Sequence, residues 1–239
     1  MLTGPINKSL TILAGSAVGL VLRAVTRRSS KEVSADGLGG RLQTIIMQGM
    51  ALCVLYIGVS GCLKGQNTLT AILSIALGAI IGELLDLEGA FERFGEWLKQ
   101  KTGNAKDKRF VDAFVTASLT VCIGAMAIVG SIEDGITGDY SILATKSVLD
   151  FIIIMVMSCS MGRGAVFSAI PVAILQGSIT ALAGLLRPVM TAAALGNLSM
   201  VGNVLIFCVG INLVWDKRVR VANLLPAIVI AVIAAFLSI

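Results

Sequence analysis

The segment LATKSVLDFIIIM, from Leu143 to Met155, combines a long apolar run with two ionisable side chains. It belongs to an apolar stretch, residues 142–160, close to the length of about 20 residues that a membrane helix needs. Lys146 and Asp150 lie within this stretch, although an ionisable group at membrane depth is costly and usually functional. The segment therefore predicts a membrane helix and a candidate site together.

The composition of the whole chain is that of a membrane protein. Of its 239 residues, 56% are hydrophobic and only 14% are charged, and the mean hydropathy is +0.92. Soluble domains are about a quarter charged. The chain has no His, which excludes His-dependent catalysis and His metal sites. Its five cysteines lack the spacing of a disulfide framework. We expect no enzymatic activity, no metal, no cofactor and no nucleic-acid partner.

Apolar runs of roughly 20 residues predict an all-helical, polytopic membrane bundle. The single integral membrane domain covers residues 1–239 and contains about eight spans. They are expected at 5–22, 42–62, 68–84, 111–130, 142–160, 165–185, 196–215 and 220–238.

The basic residues predict how the bundle is oriented. Lys and Arg cluster between the first two spans, between the third and fourth, and before the eighth, so the clusters fall on one side of the membrane. The loop GSIEDGITGDY on the other side carries Glu133, Asp134 and Asp139 and no basic residue. The positive-inside rule then places both termini outside the inner membrane of a bacterium.

An amphipathic helix is predicted on the cytoplasmic side at residues 84–98, followed by a polar linker to 109. Its apolar positions recur at steps of three and four, which is the period of a helix face; they are Leu84, Leu87, Phe91, Phe94 and Leu98. This face is expected either to lie on the membrane surface or to pair with a neighbouring subunit of a homo-oligomer.

Weak internal similarity suggests inverted three-helix repeats. An offset of 152 residues aligns Gly58 with Gly210 without a gap, and SLTILAG at 9–15 resembles SITALAG at 178–184. The repeats would cover 5–84 and 165–238 and flank 111–160. Inverted repeats are common in secondary transporters, whose binding sites lie near the repeat interface.

Five polar residues are candidates for an ion or substrate path. Lys146 and Asp150 are four apart on one helix face, close enough to pair. Either Lys146 snorkels to the outer interface with Asp150 as its partner, or Asp150 faces a wet path and binds a cation or proton. Gln176, Asn203 and Asn212 either line such a path or join helices by hydrogen bonds.

Two sequence features concern the backbone. The segment SCSMGRGAVFSAIP, residues 158–171, is either a tight cytoplasmic turn or a broken helix with exposed backbone groups. Small-residue motifs allow helices to approach closely, within one subunit or between subunits; their glycines are Gly15, Gly19, Gly78 and Gly82.

Several longer motifs resemble a known family. These are FVTASLTVCIGAMAIVGSIEDGITGDYSILATKSVLD at 114–150, GINLVWDKRVRVANLLPAIV at 210–229, GELLDLE at 82–88 and SAIPV at 168–172. They are similar to segments of the YdfK/YqgA-like bacterial inner-membrane proteins, a family without an assigned function. The resemblance implies a multi-spanning membrane protein and supplies no functional residues.

These observations leave two functions open. One is a transporter or channel for a small ion or polar solute. The other is a membrane scaffold or sensor that recruits a partner through the 84–98 helix.

Overall fold

The computed structural model describes residues 3–29, 38–63, 65, 67–104, 107, 109–122, 125–215 and 218–236. These residues form helices and connecting turns, and no strand occurs among them. The first six helices are α1 (Thr3–Ser29), α2 (Leu38–Cys62), α3 (Thr68–Leu85), α4 (Leu87–Lys101), α5 (Phe110–Cys122) and α6 (Ala125–Thr137). The others are α7 (Ser141–Ser160), α8 (Ala169–Ala181), α9 (Ala183–Leu186), α10 (Ala192–Trp215) and α11 (Pro226–Ala234), with 3₁₀ helices at Arg163–Ser168 and Val221–Leu224.

The predicted all-helical membrane bundle is confirmed. Among the described residues, five helical segments are long and apolar enough to cross a bilayer, and a sixth is added if α5 and α6 form one span. Two shorter apolar segments, Gln48–Cys62 and Val221–Ala234, lie where the second and eighth spans are expected. The count of eight spans stays a prediction.

The fourth predicted span, 111–130, is not one straight helix. α5 and α6 are inclined to each other by 60°. α6 continues to Thr137, so Glu133 and Asp134 belong to a helix, although the sequence had placed them in an outer loop. The sixth span begins with the 3₁₀ helix Arg163–Ser168, after a turn at Gly162 with a φ of 107°. Segment 158–171 therefore contains both a turn and irregular helix.

Three helix pairs organise the bundle. α1 and α7 run parallel, whereas α2 with α10, and α3 with α11, run antiparallel. One apolar core joins α2, α3, α4, α5, α10 and α11. A second joins α1, α5, α7 and α8. Most of the remaining apolar side chains point outward, as on α3, where Ile72 and Ile80 are exposed; such a surface suits lipid.

The corner between α3 and α4 is made by Asp86. Its φ of 48° is in the left-handed region, which Asp tolerates better than most residues. It ends α3, and its carboxylate accepts a hydrogen bond from the Gly89 N–H at the start of α4. Arg93 donates to the same carboxylate, and this hydrogen bond lowers the pKa of Asp86. The amphipathic helix thus begins at Leu87, and Leu84 belongs to α3.

The amphipathic helix α4 uses its apolar face inside the chain. Leu98 is buried, Phe91 packs against the same core, and Phe94 contacts Phe114 of α5. Phe91 and Leu98 are therefore covered within the chain, whereas Phe94 is 37% exposed. The partner is α5, which the periodicity of α4 alone does not reveal.

The two ends of the bundle differ in charge. Arg23 lies against Gly162, Arg163 contacts Asn104, and Arg220 pairs with Glu83, so these segments share one end, which we name the basic end. Gly4, Asp134 and Tyr140 meet at the opposite end, which we name the acidic end. Arg187, beside α9, is an exception at the acidic end.

Candidate functional site

Asp150 lies at the centre of a buried group of three charges. Its Oδ1 and Oδ2 accept hydrogen bonds from Lys146 Nζ at 3.0 and 3.1 Å. Lys8 Nζ lies 2.9 Å from Oδ2. The exposed fractions are 1% for Asp150, 8% for Lys146 and 0% for Lys8. Two cations therefore share one carboxylate, in segments that are both candidate membrane spans.

The geometry bears on the two interpretations of Lys146 and Asp150. The two side chains pair, as their spacing allows, and Lys146 is only 8% exposed, so its amine is turned inward. A wet path at Asp150 stays a prediction. Lys8 was missed by the sequence analysis. A signal was available, because Gly4, Lys8, Ile12, Gly15 and Gly19 recur at steps of three and four along α1.

An apolar cluster lies next to the charged group. Its members come from α1, α5, α7 and α8 and include Ile12, Val121, Ile154 and Val172. Lys8, Asp150 and Gln176 are each four residues from a member on the same helix, displaced toward the acidic end. Residues four apart stack on one helix face, so each of these polar side chains adjoins the apolar cluster on its own helix. The electrostatic interaction of Cys122 with Lys8, Lys146 and Asp150 places the end of α5 there too.

Three further polar side chains lie toward the acidic end. They are Lys146 on α7, Thr180 on α8 and Asp134 on α6. A Cβ atom at Gly4 would lie 3.3 Å from the carboxyl carbon of Asp134, which places this side chain beside the first turn of α1. Gly135 lies directly against the Thr180 carbonyl. We name these six side chains the buried polar cluster: Lys8, Asp134, Lys146, Asp150, Gln176 and Thr180.

Four of the six residues of this cluster have polar atoms without a hydrogen-bond partner among the described residues. They are Lys8 Nζ, which is within ion-pair distance of Asp150, both carboxylate oxygens of Asp134, both amide atoms of Gln176 and Thr180 Oγ1. All four side chains are buried. Buried polar groups are normally hydrogen-bonded, so these atoms are candidates for contact with a ligand, ion or water.

Two buried serines lie on the other side of these apolar residues. Ser16 follows Ile12 by four residues and Ser158 follows Ile154 by four residues, in both cases toward the basic end. Both serines are fully buried, and their hydroxyl oxygens lack a hydrogen-bond partner within the described part of the chain. On each of these two helices, one buried isoleucine thus separates a residue of the charged group from a buried serine.

The remaining candidate residues lie outside the cluster. Asn203 Nδ2 donates to the Ser199 carbonyl at 2.7 Å and lies against Gly61 of α2. Asn212 exchanges two hydrogen bonds with the Val219 backbone, at 2.6 and 2.9 Å. Their amides serve these contacts on α10 and the following turn, away from the Lys146–Asp150 pair, whereas Gln176 is buried on α8 next to the apolar cluster that also contains Ile154 of α7.

The small-residue motifs lie at helix contacts within the chain. Gly15 and Gly19 face the backbone carbonyls of Phe151 and Met155 on α7. Gly78 and Gly82 face Ala227 of α11 and Asn223 of the second 3₁₀ helix. The close approach along α1 and α7 is what brings Lys8 within reach of Asp150.

A hydrogen-bond network fixes the basic end. Asn223 Oδ1 accepts from the Glu88 N–H at 2.7 Å, and Glu88 Oε2 accepts from the Ala222 N–H at 3.0 Å. Asn223 Nδ2 donates to Glu83 at 2.6 Å. α4 is therefore fastened to the turn before α11, although α4 and α11 are far apart in sequence.

Comparison with known proteins agrees with the resemblance seen in the sequence. The chain is 28% identical over 235 residues to "Uncharacterized protein YqgA" of Escherichia coli (strain K12), covering 97% of this chain and 95% of that protein. It is 25% identical over 237 residues to "Uncharacterized membrane protein YdfK" of Bacillus subtilis (strain 168), covering 98% and 95%. No solved structure matches the chain. A family described as "Protein of unknown function (DUF554)" matches residues 3–236, and the chain belongs to this family.

Proposed function

We propose that this membrane protein is a transporter, and not an enzyme, for a small ion or polar solute. The observation that carries the proposal is the Lys8–Asp150–Lys146 group, buried between helices with bilayer-spanning length. Ionisable residues inside membrane segments are rare and typically mark ion or substrate pathways. The group carries one excess positive charge when all three residues are ionised, which favours an anionic or partly anionic solute.

The burial of the charged group is consistent with a gated pathway. In this conformation Asp150 is 1% exposed, and Ile154, one turn further along α7 toward the basic end, is fully buried. The buried hydroxyls of Ser16 and Ser158 provide further polar positions toward the basic end. This conformation would be a closed state, in which Asp150 is shielded from water.

The helix arrangement around the cluster also resembles that of transporters. Discontinuous membrane helices commonly bind solutes and ions near the midplane, and α5 and α6 meet at a 60° angle beside Cys122. The antiparallel α2–α10 pair supports the inverted repeats. Gly58 packs on Phe207, and Gly210 packs on Leu55. The offset of 152 residues relates Gly58 to Gly210 and Leu55 to Phe207, so the two contacts are equivalent positions of the repeats.

Orientation and location form part of the proposal. The basic end, with Arg23, Arg163 and Arg220, would face the cytoplasm under the positive-inside rule. The acidic end and both termini would then lie outside the inner membrane. The buried polar cluster would therefore lie in the outer half of the membrane.

The direct test is flux into liposomes that contain the purified protein. The panel comprises H⁺, Na⁺, K⁺, chloride, small carboxylates and neutral polar solutes. We expect at least one solute to move faster than into protein-free vesicles. Lys8→Met or Lys146→Met should slow it about tenfold or more, because each removes one charged contact to the solute.

Lys101→Met is the matched control, since this lysine is exposed at the end of α4, and its flux should equal that of the wild type. Equal flux in all four proteins would show that the movement does not use the cluster. Absence of flux for the whole panel would contradict this proposal.

The alternative, a scaffold that recruits a partner, is supported by one feature of α4. A groove of about 810 Å³ runs between α4 and the turn at Val219 and Arg220. Glu92, Glu96 and Trp97 line it, so it offers acidic groups beside an exposed aromatic ring. This function requires no solute movement, and substitution of Trp97 would impair it while leaving the buried polar cluster unchanged.

A further inference from the structure

Asp134 differs from Asp150 in how its charge is balanced. Asp150 has two lysine partners, whereas neither oxygen of Asp134 has a hydrogen-bond partner within the described residues. The side chain is nevertheless fully buried. A buried carboxylate without partners is strongly unfavourable. A positively charged ligand at this position would remove that penalty.

Other oxygens without partners accompany Asp134. Gln176 Oε1 and Thr180 Oγ1 also lack hydrogen-bond partners, and the two residues lie one turn apart on the buried face of α8. Gly135, the next residue after Asp134, lies directly against the Thr180 carbonyl. The contact brings α6 and α8 together at this level. Three buried residues along the α6–α8 seam thus carry carboxylate, amide and hydroxyl oxygens without a hydrogen-bond partner among the described residues.

We propose that Asp134, Gln176 and Thr180 form a binding site for Na⁺. Hard cations prefer oxygen ligands, and divalent ions are usually held by several carboxylates. One carboxylate supplies the single negative charge that suits a monovalent ion. A proton would satisfy only one of the oxygens, whereas a metal ion contacts several at once. Asp150 is not this site, because both of its oxygens are already engaged by lysines.

The charge of the cluster suggests what the ion does. Lys8, Lys146, Asp134 and Asp150 sum to zero when all are ionised, so Na⁺ at Asp134 leaves one excess positive charge. An anionic solute at Lys8 and Lys146 would balance it, so each ligand would favour binding of the other. This coupling role rests on the transport function proposed above, whereas Na⁺ binding itself does not.

The test measures Na⁺ binding on the purified full-length protein in detergent. Thermal unfolding is followed in NaCl, KCl and choline chloride at equal ionic strength, and ²²Na⁺ binding is measured directly. A ligand that binds only the folded state raises its stability. We expect a saturable rise in Tm with Na⁺ and none with K⁺ or choline.

Variants assign the effect to the site. Asp134→Asn should abolish saturable ²²Na⁺ binding, and Thr180→Val, which keeps shape and charge, should weaken it about tenfold through loss of one oxygen ligand. Glu133→Gln alters the adjacent, half-buried carboxylate and should bind Na⁺ like the wild type. Equal Tm values in the three salts, or unchanged ²²Na⁺ binding in Asp134→Asn, would overturn the site. Neither result depends on solute flux, so failure of this site and failure of the transport function are distinguishable.

Discussion

At the scale of single residues, the sharing of Asp150 by two lysines determines which substitutions the fold tolerates. Removing one lysine leaves a neutral ion pair between the other lysine and Asp150. Removing the carboxylate leaves two buried amines that repel each other. The same three residues therefore contribute unequally to stability, which the Lys146–Asp150 pair considered alone does not predict.

We expect Asp150→Asn to lower the free energy of unfolding by about 3–5 kcal/mol, the usual cost of stranding a buried charge. Lys8→Met should cost less, about 1–2 kcal/mol, because Lys146 still neutralises Asp150. Thermal or denaturant unfolding of the purified proteins in detergent provides the comparison. If the two variants were equally stable, sharing of the Asp150 carboxylate by two lysines would not determine the stability of this group.

At the scale of secondary-structure elements, the seam between α1 and α7 positions the site. Lys8 reaches Asp150 only because glycines on α1 let the two helices approach closely. A Cβ atom at Gly19 would collide with the Met155 carbonyl oxygen, whereas one at Gly177 of α8 would meet open space. Gly→Ala substitutions at these two positions therefore distinguish the effect of close packing on stability from the effect of intrinsic helix propensity.

Gly19→Ala should destabilise the protein by about 1–3 kcal/mol, as overpacking of a close contact does. Gly177→Ala should be neutral or stabilise by up to about 1 kcal/mol, because Ala is the better helix former. The test is to measure the free energy of unfolding of both variants under the same conditions. A Gly19→Ala variant as stable as Gly177→Ala would mean that α1 and α7 are not packed as closely as described.

At the scale of the whole molecule, the two ends and the lipid-facing surface define how the bundle lies in a membrane. Basic side chains gather at one end, and acidic side chains of α6 and the following turn gather at the other. Exposed apolar residues cover the surface between them. Homo-oligomer formation stays a prediction, because α5 covers only part of the apolar face of α4 and Phe94 is exposed.

The orientation is tested with fusions to two reporters. Alkaline phosphatase, active only outside the cytoplasm, should be active after the C-terminus and inactive after Gly103. Green fluorescent protein, which folds in the cytoplasm, should show the reverse pattern. The opposite result at both positions would invert the orientation and place the buried polar cluster in the cytoplasmic half.

Local sequence patterns were sufficient to predict part of the fold and part of the candidate site. Composition and run length determined that the chain is a helical membrane bundle. The spacing of four residues determined that Lys146 and Asp150 can pair, because that relation lies within one helix. The amphipathic pattern predicted α4, although Asp86 moves its start to Leu87. The basic clusters indicated which segments share an end.

Only the tertiary structure brought Lys8 to Asp150, placed Asp134 beside Gly4, and separated Asn203 and Asn212 from the cluster. The physical reason is that lipid and protein interior are about equally apolar, so hydrophobic patterning identifies the membrane segments but not which of them are neighbours. Close packing at glycines and buried polar contacts decide the neighbours. These contacts join residues as distant as Lys8 and Asp150, and they become visible only when the helices are assembled.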